Sequence, residues 1–178
     1  VGWRFVIGAG ALAVLARPRG SRVWRDGAIA GLFLFAGYAF QTVGLVTTGA
    51  SNSALITGLY VVFTPFLVAI SSRRMPSPWV FVGAVVSFIG LALLTVDETL
   101  RLEIGDVFTL LCALGFAGHI TYLARSAPNH PVIPFTAVQL AVTGALGLGL
   151  STVIEGWTVP TGREWPTIIL TGVGVSAS

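Results

Sequence analysis

Nine polar side chains stand where their neighbours are apolar: Arg4, Tyr38, Gln41, Thr57, Tyr60, Thr64, His119, Tyr122 and Gln139. Helical spacing gathers most of them into stripes. Ser53, Thr57, Tyr60 and Thr64 recur at i, i+4, i+7 and i+11. Tyr38 and Gln41 share a face with Gly27, Gly31 and Leu34. Gln139 falls in line with Thr136, Thr143 and Gly147. Phenols, hydroxyls and carboxamides in such rows donate and accept hydrogen bonds without carrying charge. That chemistry suits holding an organic solute better than breaking a bond. The competing reading is hydrogen bonding between helices, worth about 0.6–2 kcal/mol per bond in a membrane.

Two residues add charge or titration. His119 has Tyr122 at i+3 and Gly115 at i−4, so a titratable ring, a phenol and a gap share one side. An ionisable group among apolar residues points to function, with a neutral imidazole bonded to a neighbouring helix as the alternative. Arg4 keeps its charge at any relevant pH and would cost roughly 2.5–3.5 kcal/mol at the centre of a span. It lies in the outer half of its apolar run, so snorkelling outward competes with a place in a cavity or its outer gate. These nine form the expected substrate-binding set. No catalytic residue, metal or cofactor is expected. Cys112 is the sole cysteine, HExxH, GxSxG and P-loop patterns are lacking, and no Asp or Glu falls inside an apolar run. Hence the chain is not read as an enzyme.

The elements that must position these groups follow from composition. The chain has 178 residues, 54% hydrophobic and 10% charged, with mean hydropathy +0.88. A soluble domain carries about 25% charged residues, so a water-facing globule is excluded. The pI of about 9.8 suggests nucleic acid, but the arginines sit singly or in pairs between apolar runs. They are read as orientation signals, and no nucleic-acid partner is expected. A helix needs about 20 apolar residues to cross a bilayer. The charges and turn residues delimit spans near 1–16, 27–46, 50–72, 77–96, 106–125 and 133–154, with another beginning at 165–178. The runs are continuous rather than alternating, which selects helices over a β-barrel. Pro65 is expected to kink the third span.

Seven of the ten arginines (Arg17, Arg19, Arg22, Arg25, Arg73, Arg74 and Arg125) fall on one side of this arrangement. By the positive-inside rule that side is cytoplasmic. The opposite side carries Asp97, Glu98, Glu103 and Asp106 around Arg101, and Glu155, Arg163 and Glu164 in a second loop. Trp24, Trp79, Trp157 and Trp165 fall near span ends and fit an interfacial belt. The chain opens at Val1 and closes at Ser178 inside apolar runs, so truncation of a longer protein at both ends is expected.

Setting the second span against the last at an offset of 141 pairs Trp24 with Trp165, Gly31 with Gly172 and Ala36 with Ala177. A repeat of five spans, an odd number, must be inverted in the membrane, as in secondary transporters. Here the sequence resembles the EamA-like branch of the drug/metabolite transporter superfamily. The likeness rests on Trp3-Arg4-Phe5, the stretch Gly37 to Leu45, Thr47 to Ala54, Thr57 to Pro65, Arg73 to Pro76, Gly83 to Leu91, and Gly105-Asp106. It implies ten spans in two inverted five-helix repeats, of which 1–104 would belong to the first and 105–178 would begin the second. The fold class is therefore an all-α, polytopic transmembrane helix bundle. The resemblance further implies alternating access through a central cavity for amino acids, other metabolites or drugs, but it assigns no role to the polar set.

The function read from the sequence is a secondary transporter, an exporter of small organic metabolites or drugs. A non-transporting membrane scaffold or receptor on the same bundle is the alternative. Expected partners are a small-molecule solute and the lipid bilayer, with a homodimer as an option. The location read is the plasma or inner membrane, with the arginine-rich loops cytoplasmic.

Overall fold

The computed structural model describes residues 2–15, 18–95, 103–154, 162 and 165–177. Arg17, Asp97, Glu98, Arg101, Glu155, Arg163 and Glu164, which entered the orientation argument, and Trp157 of the expected interfacial belt lie outside the described residues. Among those described there is no strand, and the chain is an all-α transmembrane bundle. Its helices are α1 (Gly2–Leu15), α2 (Ser21–Gly44), α3 (Ala50–Gly58), α4 (Tyr60–Ser72), α5 (Pro78–Thr95), α6 (Ile104–Ser126), α7 (Val132–Ile154) and α8 (Trp165–Ala177). Each sequence-derived span overlaps one of them or, for 50–72, the α3–α4 pair; α2 begins six residues before the expected 27, taking in Arg22, Arg25 and Asp26 ahead of the uncharged run. Among the described residues four stretches are long and apolar enough to cross a bilayer, Ser21–Gly44, Ala50–Ser72, Ile104–Asn129 and Val132–Val153, while Gly2–Leu15 and Pro78–Leu93 are shorter apolar helices.

By contacts the chain divides into two compact units, 1–35 with 124–178, and 36–123. In the first unit α1 packs on α7 and α8. Glycines let backbones approach: a Cβ on Gly27 would lie 2.8 Å from the Val138 side chain, and one on Gly31 would lie 2.8 Å from the Gln139 carbonyl oxygen. The Thr143 hydroxyl donates to the Gly31 carbonyl at 3.0 Å. Small residues and short interhelical bonds of this kind are what holds helices together where lipid removes the hydrophobic drive. At the head of α2, Asp26 receives Nε of Arg25 (3.0 Å) on one oxygen and meets His130 Nε2 (2.9 Å) with the other. The His130 ring stacks on Phe135, centroids 5.0 Å apart. This tie between α2 and the α6–α7 connection was not legible in the sequence, where 104 positions separate its partners.

In the second unit the end of α2 lies against α6, with α3, α4 and α5 alongside. The start of α6 is fixed by Asp106, whose carboxylate accepts from the Glu103 backbone N–H at 2.8 Å. That is the returning half of a capping box. Its other oxygen accepts the Thr48 hydroxyl at 3.0 Å. Asp106 was read as part of an acidic outer loop at the edge of its span. It is instead a buried residue in the first turn of a helix that starts at Ile104, because its hydrogen bonds replace the water it leaves.

The third span also differs from expectation. Its helix is interrupted at Leu59, six residues before Pro65, where the Leu59 N–H bonds to the Ile56 carbonyl at 3.1 Å in a tightened turn. Gly58 packs there against the Leu91 side chain of α5, which a Cβ would displace. Pro65 is buried within α4. At the far end α4 stops on Arg73 in the left-handed region, φ 52° and ψ 28°. That conformation costs a residue with a Cβ about 1–2 kcal/mol, and glycine almost nothing. Arg73→Gly is therefore expected to raise the melting temperature of the detergent-solubilised protein slightly, by about 1 kcal/mol of stability; a lowered melting temperature would contradict the αL assignment.

Candidate functional site

The polar stripes of the second unit converge on a residue the sequence reading passed over. Phe116 lies at the centre of α6, and two tyrosines present their rings to it. Tyr38 of α2 meets Phe116 edge-on with centroids 5.2 Å apart and planes at 83°. Tyr60, the first residue of α4, meets it at 6.4 Å and 75°. Edge-to-face pairs of this geometry contribute about 0.5–1.5 kcal/mol each beyond burial.

Glycine makes this approach feasible. A Cβ on Gly37 would stand 2.7 Å from the Phe116 ring, and one on Gly115 would stand 3.0 Å from the Gly37 nitrogen. The α2 and α6 backbones therefore cross almost in contact beside the ring cluster. One turn before Phe116 on α6, the Cys112 thiol and the Thr57 hydroxyl lie 3.9 Å apart, and either can donate. Together with Thr48–Asp106 and Tyr60–Phe116, this contact makes successive rungs that run the same way along α3–α4 and α6. Gly44 on Gly105 and Gly37 on Phe116 run in opposite order along α2 and α6. Those relative directions agree with helices crossing a bilayer alternately.

The other members of the predicted set are placed as follows. Thr57, Gln41, His119 and Tyr122 are half-buried in this unit, His119 and Tyr122 three and six residues beyond Phe116. Thr64 donates its hydroxyl to the Tyr60 carbonyl at 2.6 Å. Its polarity thus serves the helix itself, a back-bond that bends a helix locally. Arg4 and Gln139 belong to the other unit. The Arg4 guanidinium lies 4.7 Å from the centroid of the Phe5 ring, and Gln139 is buried on α7. Also in that unit, Trp165 meets Trp3 edge-on, with centroids 5.9 Å apart.

A further residue missed in the sequence is Thr121. Its hydroxyl is buried on α6 and has no hydrogen-bond partner among the described residues. A helical threonine normally finds the carbonyl one turn back, as Thr109 does with Gly105 at 2.9 Å. An orphaned buried hydroxyl costs about 1–3 kcal/mol. No group of His, Cys, Asp and Glu suited to a metal ion occurs among the described residues.

These features belong to a multi-pass bundle in which two tyrosines meet a phenylalanine beside a row of hydroxyl groups. The EamA-like transporter family model matches residues 1–96, more than half of the chain. The chain belongs to the EamA-like transporter family. It is also similar to an uncharacterized transporter of Archaeoglobus fulgidus, 34% identical over 102 residues, which is 57% of this chain and 32% of the relative. The matched stretch thus spans about a third of that relative's length. No solved structure matches the chain. Tyr38, Gln41, Thr57, Tyr60 and Thr64 of the EamA-like chain all lie within the family-matched stretch, whereas Phe116, His119 and Tyr122 lie beyond it.

Proposed function

We propose that the EamA-like chain forms part of a secondary transporter that exports small organic metabolites or drugs across the cell membrane. Solute is held in a central cavity by the ring edges of Tyr38, Phe116 and Tyr60 and by hydroxyls such as Thr57. Rocking of one inverted five-helix repeat against the other exposes it alternately to the two sides. The arginine-rich loops face the cytoplasm, and 1–104 and 105–178 belong to different repeats. The observation that carries this reading is the meeting of two tyrosines from different helices, Tyr38 of α2 and Tyr60 of α4, on Phe116 of α6. Beside it stand the Leu59 interruption and the orphaned Thr121 hydroxyl. Broken helices and spare polar groups at mid-depth are tolerated where they line a cavity.

An uptake and efflux screen of the complete protein in sealed vesicles, against amino acids and cationic drugs, tests the proposal. At least one solute is expected to move faster than in empty vesicles; no movement of any would leave the bundle as a scaffold or receptor. His119 is the proposed proton-coupling group, since it is the titratable side chain nearest the ring cluster in sequence. His119→Ala is expected to abolish the dependence of transport on external pH. An unchanged pH profile would remove His119 from coupling.

A further inference from the structure

The head of α2 joins a basic turn to an apolar face. Arg19, Arg22 and Arg25 are all exposed, and with Asp26 they leave the stretch 19–26 at +2, three arginines against one aspartate. At 100° per residue, Arg22, Arg25, Ile29, Leu32 and Phe33 fall within an arc of about 100°. Ile29, Leu32 and Phe33 are 37%, 56% and 39% exposed on that arc. The opposing arc carries Val23, Gly27, Ala30 and Gly31, all buried. The exposed arc is thus the one turned away from its unit's core, and from Arg22 to Phe33 it runs about 16 Å. Half the thickness of a bilayer's hydrocarbon is about 15 Å.

We infer that this face, with the exposed Arg19 just ahead of the helix, binds one anionic phospholipid, its phosphate on Arg19 and Arg22 and an acyl chain along Ile29, Leu32 and Phe33. Guanidinium groups match phosphate oxygens in paired hydrogen bonds. The N-terminal end of the helix adds partial positive charge. Asp26 occupies the Nε edge of Arg25, so Arg19 and Arg22 carry the headgroup and Arg25 supports the field. Trp24, 51% exposed on the adjoining face, marks the depth at which headgroups lie. The apolar stripe continuing below the arginines selects a lipid over a free phosphate. The site requires only that α2 spans a bilayer, not that the protein transports.

The test uses the complete protein in detergent, titrated with phosphatidylglycerol or with phosphatidylcholine of the same acyl chains, and retained lipid is counted by native mass spectrometry. Phosphatidylglycerol is expected to be retained preferentially. R19Q/R22Q should weaken its retention about fivefold per arginine removed. Leu32→Asn should weaken both lipids. R73Q/R74Q, matched in charge at another loop, should retain phosphatidylglycerol as the unaltered protein does, and soluble glycerol phosphate should not displace it. The inference is overturned if R19Q/R22Q holds phosphatidylglycerol undiminished, if R73Q/R74Q loses as much, or if glycerol phosphate competes. Unchanged melting temperatures in phosphatidylcholine show that the charge variants fold.

Discussion

Phe116→Ala is expected to reduce transport of any solute found for the complete protein at least tenfold, with the protein still inserted in the membrane. The ring is the common partner of Tyr38 and Tyr60, so its removal cancels two edge-to-face pairs at once, about 1–3 kcal/mol together. It also leaves the Gly37 crossing facing a void. A tenfold loss corresponds to about 1.4 kcal/mol, which lies within that range. Tyr38→Phe and Tyr60→Phe keep the rings and remove the hydroxyls, and they separate ring packing from hydrogen bonding to solute. Full transport by Phe116→Ala would show that the cluster is packing alone.

Gly31→Leu is expected to have the largest effect on folding. The atoms a side chain would meet are the Gln139 carbonyl oxygen at 2.8 Å, the Val142 Cβ at 3.0 Å and the Gln139 Cα at 3.2 Å. Two of these are backbone and cannot rotate away. Separating the helices also breaks the bond from Thr143 to the Gly31 carbonyl. Overpacking of about 1–3 kcal/mol adds to roughly one lost interhelical hydrogen bond, a sum of about 2–5 kcal/mol and large for any single substitution. Gly83→Leu is the contrast. No atom lies within 4 Å of its added Cβ, and leucine favours helix over glycine by nearly 1 kcal/mol, so a neutral or slightly stabilising change is expected. Thermal melting of the detergent-solubilised protein distinguishes the two; equal melting temperatures would contradict the close crossing of α2 and α7.

The spans were legible because lipid leaves few options. Each needs a long apolar run, and the charges mark where runs end. The stripe that holds Thr57 and Tyr60 was legible for the same reason, since 3.6-residue spacing is visible in any helix. Phe116 was not, because a phenylalanine among apolar residues gives no local sign of which neighbours it meets. The burial of Asp106 was not legible, because it depends on a partner distant in sequence, Thr48, and the tie of Asp26 to His130 is equally remote. The Leu59 interruption was not legible at Pro65, since the turn tightens six residues earlier, beside the Gly58 contact with Leu91. Thr64 shared the stripe's spacing, yet its hydroxyl turns back to its own helix.

Whether the groups around Phe116 border a solute pathway is tested most directly by a cysteine at Thr57. In the complete protein, with the buried Cys112 changed to alanine, Thr57→Cys in vesicles is treated with a small water-soluble maleimide, with and without a transported solute. Expected is labelling that the solute slows. A cysteine there that stays unlabelled from both sides, in a protein that folds and inserts normally, would contradict a cavity at this site.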